Sequence, residues 1–271
     1  MGLSRQAHYQ WQCRRARDEA KHERVVALVK EKRLRQPRLG TRKLHHLIGP
    51  TLTAEGLGMG RDALFDLLRW NRLLVPTRRA YHKTTDSHHR FRRHPNLLKA
   101  GPEQVRAEAI EQVWVADITY LPTRERCAYL SLVTDAYSRK IVGYHVHDSL
   151  HTAEVSQALK MALKERHGSQ PLIHHSDRGI QYCAHEYQAI HQKHGLICSM
   201  TDGYDCYQNA LAERVNGILK HELLLQLPDD LHQARRMVRQ SIAIYNAERP
   251  HSSLQLKTLD EVHRASLQAS H

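Results

Sequence analysis

Three acidic residues have the types and positions that chemistry on a phosphodiester would need. Asp117 lies inside the apolar, β-branched run Val113 to Leu121 (VWVADITYL), where a charge opposes strand preference. Asp177 closes the segment His174-His175-Ser176-Asp177, at the carboxyl end of a short strand, the edge where open sheets assemble their sites. Taken singly, either aspartate also fits a turn or a cap. Glu213 belongs to a helix read from Gln208 to Leu225. With Asn209 at zero and 100° per residue, Glu213 falls at about 40°, Asn216 at about −20° and Lys220 at about 20°; Leu211, Ala212, Val215, Ile218 and Leu219 take the other side. A solvated stripe alternates Lys and Glu, whereas two amides, one acid and one base on one face suggest that Asn209 and Asn216 meet a ligand. Three carboxylates from two strands and a helix suit a pair of hard cations. Mg²⁺ takes oxygen ligands, and two such ions about 4 Å apart can activate an attacking oxygen and stabilise a leaving one.

The elements that must position these groups follow from periodicity. Val113 to Leu121, Cys127 to Thr134 and Ile141 to Val146 alternate, with joints short enough for antiparallel pairing. A helix from Thr152 to His167 follows, then strand-like runs at Leu172 to His174 and Leu196 to Cys198, each bracketed by helical stretches. The order β-β-β-α-β-α-β-α predicts an α/β fold, a mixed five-stranded sheet with flanking helices. Helices at Gln208 to Leu225 and Asp230 to Asn246 come after it. Ahead of it, a charged helix holds Val25, Val26, Leu28 and Val29 and ends near Arg35; Thr41 to Ile48, with Thr41 as cap, and Arg61 to Trp70 form a pair with a glycine-containing joint. That pair reads as a helix-turn-helix or as a plain three-helix bundle.

Charge divides the chain at the same place. Residues 1–93 hold 22 Lys and Arg against 8 Asp and Glu, and residues 94–271 hold 19 against 20, so the whole excess of +13 sits in the first third. Such a basic region can neutralise a run of phosphates and release their counterions. The expected organisation is a basic helical DNA-binding region (1–77), a basic, His-rich linker over a phosphate backbone (78–108), a catalytic core (109–225) and a C-terminal helical extension (226–271). Five cysteines without a C-x-x-C pair argue against a disulfide framework. With no long apolar run and no leader pattern, the expected place is the cytoplasm, without a membrane partner. Although there are 22 histidines, the spacing of Cys183, His185, His191, His194 and Cys198 fits no standard zinc module, and Ser176 has no evident base partner.

Asp117 in VWVADITY, Asp177 in HHSDRGIQY and Glu213 in NALAERVNGILKHE, with 35 residues between the second and third and Lys220 seven after the glutamate, resemble the DDE triad of insertion-sequence transposases and retroviral-type integrases. TRKLHHLI, GRDALFDLLRWNRLL, YHKTTDSHHRF, PNLLK and YNAERPHSSL extend the likeness to the downstream-frame (OrfB-type) transposase product over about residues 2–262. The resemblance implies a ribonuclease-H-like catalytic core behind a helix-turn-helix-type DNA-binding region. It implies Mg²⁺-dependent cleavage and strand transfer at terminal inverted repeats, with Mn²⁺ able to substitute. Asp117, Asp177 and Glu213 would hold the metals and Lys220 the DNA, with Arg42, Lys43, Arg61 and Arg178 as further candidate DNA contacts. A homo-oligomer on double-stranded DNA near the nucleoid is expected, together with an upstream-frame product that supplies a preceding segment. A silent product that only binds the repeats and represses is the alternative, and a ribonuclease H or junction resolvase would not need the basic region in front.

Overall fold

The structure, a computed structural model, describes residues 5–76, 94–202 and 209–269. The expected linker segment 78–93 and the stretch Tyr204 to Gln208 lie outside the described residues. The chain divides into two compact units, residues 1–79 with 250–256, and residues 80–249 with 257–271.

The first unit is helical. Helix α1 runs Arg5–Arg35, much longer than its apolar patch, since its first twenty residues are mostly Arg, Gln, Ala, Glu and Lys, good helix formers, with neither Gly nor Pro. Helices α2 (Thr41–Ala54) and α3 (Arg61–Trp70) follow. Gly40, rather than Thr41, occupies the cap of α2, and the helix continues through Pro50. The reason is burial: Leu44, Ile48 and Leu52 form one stripe at four-residue spacing, and together with Val25, Leu28, Val29, Leu39, Leu64 and Leu68 they make a closed apolar centre. The polar joints are tied by side chains, with Lys21 Nζ donating to Gly58 O at 2.8 Å and Arg24 clasping Glu55 through two bonds.

The second unit is built on five strands, β1 (Val113–Pro122), β2 (Cys127–Asp135), β3 (Ile141–His147), β4 (Leu172–Ser176) and β5 (Leu196–Met200), in the order β3-β2-β1-β4-β5. The first three are antiparallel, whereas β4 and β5 run parallel to β1. This is the expected mixed sheet, of the ribonuclease-H-like kind. Helices α4 (Thr152–Lys164), α5 (Ile180–Cys183) and α6 (His185–His194) cover one face, where Trp114, Ala116, Val133, Leu159, Tyr182 and Tyr187 are buried. Helix α4 comes so close to β3 that a Cβ on Gly143 would stand 2.1 Å from the Ala158 carbonyl oxygen. The other face buries Val113, Val115 and Ile173 beneath α7 (Ala210–Ile218).

Two expected segments join this unit rather than lying outside it. Leu97, Leu98, Val105 and Ala107, from the region read as linker, pack on the α7 face, and Leu97 N donates to Ser199 Oγ at 3.0 Å. The C-terminal helices α8 (Leu231–Ala247) and α9 (Leu259–Ala269) belong to it too. Asp230 caps α8, and the Asn246 side chain both accepts from Ile141 N and donates to Ile141 O, filling the ladder positions of β3 as another strand would.

Candidate active site

The sheet's register brings the two aspartates together. Val113, Val115 and their neighbours pair in parallel with Ile173 to His175, two residues short of Asp177, so that residue 177 emerges level with residue 117. Asp117 is half-buried near the carboxyl end of the paired stretch. Its Oδ1 accepts from the Ile118 amide at 3.0 Å and its Oδ2 from Asn216 Nδ2 at 2.7 Å. Asp177 follows β4 immediately, and its Oδ1 accepts from Gly179 N at 2.9 Å. A Cβ at Gly179 would stand 3.0 Å from that oxygen, so glycine gives the carboxylate room.

Helix α7 brings the third carboxylate. Its apolar side, with Ala212 and Leu211, packs on Val113 and Val115, and Asn209 Nδ2 donates to Ala116 O at 3.1 Å. Glu213, one turn beyond Asn209, is exposed. The electrostatics tie the three acids together: burial pushes the Asp117 carboxyl up to about 7, and the negative charges of Asp177 and Glu213 push it the same way against the Asn216 and Ile118 bonds. Tyr182, buried beneath, is also affected by Asp177 and Asp117, and its hydroxyl titrates well above its ordinary value, chiefly through burial. Among the described residues, no three His, Cys, Asp or Glu side chains are already set around one ion position. The acids are therefore within electrostatic reach of one another without forming a closed cage.

Several expected DNA contacts are placed differently. Asn209 and Asn216 are buried, and their amide nitrogens donate to β1, Asn209 to Ala116 O and Asn216 to the Asp117 carboxylate; the 100° wheel showed their common side but not these partners. Arg178 is turned inward, 12% exposed and 3.9 Å from Asp202. Lys220 is not on a continuing α-helix. A π turn, Leu219–Leu223, follows α7, with Leu224 N donating to Leu219 O at 2.7 Å, and Lys220 rides on it. Its ammonium is half-buried and feels Asp117; desolvation lowers its pKa and that carboxylate partly restores it. In the first unit Arg42 is exposed, Lys43 is half-buried, and Arg61 is exposed but held by Asp62 at 2.8 Å. Sequence reasoning missed Gly179 and Tyr182, which shape the Asp177 turn and the floor; the text SDRGIQY contained both, but not their contacts. His174 and His175 are fully buried.

No helix of the described residues is long and apolar enough to cross a membrane. Two integrase core domain models match the chain, one over residues 107–206 and the other over residues 194–258. The chain is 36% identical over 257 residues to the insertion element IS600 uncharacterized 31 kDa protein of Shigella sonnei, covering 93% of this chain and 92% of that one. It is 34% identical over 170 residues to the transposase for insertion sequence element IS904 of Lactococcus lactis, covering 60% of this chain and 64% of that one. In fold it is similar to a chain of the simian T-cell lymphotropic virus intasome, solved in complex with PP2A regulatory subunit B56 gamma. The TM-score is 0.52 at 19% identity, over 83% of this chain and 74% of that one. The chain belongs to the insertion-sequence transposases of the DDE, downstream-frame type, enzymes of the polynucleotidyl-transferase class whose catalytic part is an integrase core domain.

Proposed function

We propose that the chain cleaves DNA at the terminal inverted repeats of its own element and joins the freed ends to target DNA. Asp117, Asp177 and Glu213 hold two divalent cations, Mg²⁺ or Mn²⁺ in its place. The observation that carries this reading is geometric: the parallel register of β1 and β4 sets residue 177 level with residue 117, and Asn216 Nδ2 ties α7, which carries Glu213, to Asp117 Oδ2 at 2.7 Å, so that the like charges of Asp177 and Glu213 act on the half-buried Asp117. Three acids gathered where they repel one another are suited to a divalent partner that removes the repulsion. The donor set fits: hard oxygens only, together with a buried Asn216 Oδ1 to which nothing among the described residues donates. When bound, the ions supply the positive charge that activates the attacking hydroxyl and steadies the departing one.

The chain's own residues do the rest. Asn216 and the Ile118 amide fix both oxygens of Asp117, and Gly179 N fixes Asp177. Lys220, drawn toward Asp117, binds a DNA phosphate beside the acids. In cleavage, water adds to the phosphorus as the bond to the 3′ oxygen breaks, leaving a 3′ hydroxyl. In transfer that hydroxyl adds to a target phosphodiester and displaces its 3′ oxygen, with no covalent link to protein. The basic first unit binds double-stranded DNA, with Arg42 and Lys43 near the start of α2 as phosphate contacts. Because two ends must be joined, the working form is a homo-oligomer, with the upstream-frame product as a partner or fusion.

The test is nicking of a labelled repeat duplex by the wild-type chain and by Asp177→Ala, with and without Mg²⁺. Cleavage that needs both the ion and Asp177 is the expected result. Tight binding to the repeat without nicking, by the chain alone and by the chain with its upstream-frame product, would replace this reading with that of a repressor.

A further inference from the structure

The motif YNAERPHSSL is conspicuous in the sequence, yet the chemistry above makes no use of it. Its arginine, Arg249, stands just past α8 and is only 3% exposed. Its Nε and one terminal nitrogen reach the two carboxylate oxygens of Glu222 at 2.9 and 2.8 Å, a two-pronged pair across 27 residues of sequence. The guanidinium carbon stands 6.0 Å from the centre of the Tyr245 ring, and that fully buried tyrosine donates to Arg139 O at 3.4 Å. The arginine is therefore set in a rigid seat on α8, and its planar fork leaves Glu222 little freedom.

Glu222 lies in the π turn, two residues after Lys220. A π turn inserts an extra residue into the helical winding, so every side chain on it is rotated away from where α periodicity would send it. Such a turn is intrinsically less favourable than the helix it interrupts and persists where surroundings hold it. Here the surroundings include the fork. We propose that Arg249 is a positioning residue: by gripping Glu222 it holds the π turn, and through the turn it fixes where Lys220 stands, four residues beyond the Asn216 that donates to Asp117, so that its ammonium can engage a DNA phosphate near the acids. This rests on the transposase reading for the phosphate, but the placement of Lys220 is testable without any DNA.

Replacing both partners at once, Glu222→Gln with Arg249→Gln, removes the pair without leaving a buried charge alone. Acetylation by an N-hydroxysuccinimide ester, followed by mass spectrometry on the full chain, compares Lys220 with the exposed Lys164. In the double variant Lys220 labelling should rise about five-fold or more relative to Lys164, as expected for local opening of a held segment. Arg249→Lys, which keeps the charge and loses the fork, should give an intermediate rise and also serves if the double variant does not fold. Unchanged Lys220 labelling in a folded variant overturns the proposal.

On a repeat duplex, Arg249→Lys should lower kcat about ten-fold with KM for DNA nearly unchanged, and should add little to the loss caused by Lys220→Ala, because groups acting as a unit are not additive. Losses that multiply would mean that Arg249 acts elsewhere and would overturn the proposal. If the wild-type chain neither cleaves nor transfers, the transposase reading fails while the labelling result still decides the role of Arg249.

Discussion

The two units treat charge in opposite ways. In the helical unit the ion pairs lie outside a closed apolar centre: Arg61 on Asp62, Arg69 on Asp66, Arg24 on Glu55. Each of these pairs lies at the surface, where water and salt screen an ion pair and its contribution is small. In the sheet unit charge is drawn into the structure and left in tension, most clearly where Asp117 sits half-buried beside two other acids. A region that binds a long polyanion needs many cheap, redundant cations, whereas a region that does chemistry needs a few groups whose discomfort a ligand can relieve.

The contrast implies a wide spread of mutational effects. The largest should come from the acids. Asp177→Ala or Asp117→Asn should lower cleavage by about 10³-fold or more, the scale of losing a principal electrostatic contact in a reacting site, while repeat affinity in a gel-shift assay stays close to wild type. A parallel loss of affinity would blur the division between the units.

Next comes the packing of the sheet unit. Gly143→Ala forces a methyl against the Ala158 carbonyl and should destabilise the unit by about 3 kcal/mol, seen as a lower denaturation midpoint in urea. Gly58, which has nothing within 4 Å of the position a Cβ would take, provides the contrast: Gly58→Ala should cost well under 1 kcal/mol.

A third effect concerns pH. The folded Asp117 carboxyl titrates at about 7 and the unfolded one near its ordinary 3.8, so between these values the native state holds the extra proton. Without divalent ions, stability should therefore fall as pH rises from about 4 to about 7, and Asp117→Asn should flatten the fall and stabilise the chain at pH 8 by roughly 1–3 kcal/mol. Urea titrations at pH 5 and pH 8 measure both, and an equal pH dependence in the variant would show that burial of Asp117 is not its source.

The smallest effects belong to the helical unit. Arg42→Ala should reduce the slope of log affinity against log salt by about one, as for one lost phosphate contact. Arg61→Ala should reduce it less, because Asp62 already engages that guanidinium.

How much of this was legible depends on how local the cause is. Strand order and the sheet's mixed character could be read because alternation is written residue by residue in Val113 to Leu121 and its successors. The placement of Asp117 could be read as a conflict, a charge within a strand, though not as a cure. The path of residues 94–108 was hidden by Pro95 and Gly101-Pro102, which signal a linker, although Leu97, Leu98 and Val105 are the apolar residues that bury it. The helical wheel failed at Leu219 because a fixed 100° step cannot anticipate a π turn, and the turn's grip, Arg249 on Glu222, joins residues that no period relates. Asn209 and Asn216 stood out as unusual helix residues, yet which groups their amides bind is a fact of tertiary structure alone.

The claim on which the rest depends is that Asp117, Asp177 and Glu213 share divalent ions. Thermal unfolding of the wild-type chain, Asp117→Asn, Asp177→Ala and Glu213→Gln at neutral pH, with and without millimolar Mg²⁺, tests it without DNA. Mg²⁺ should raise the wild-type melting temperature, and each substitution should remove most of that rise. A rise of equal size in all four proteins would place the ion elsewhere and contradict the account.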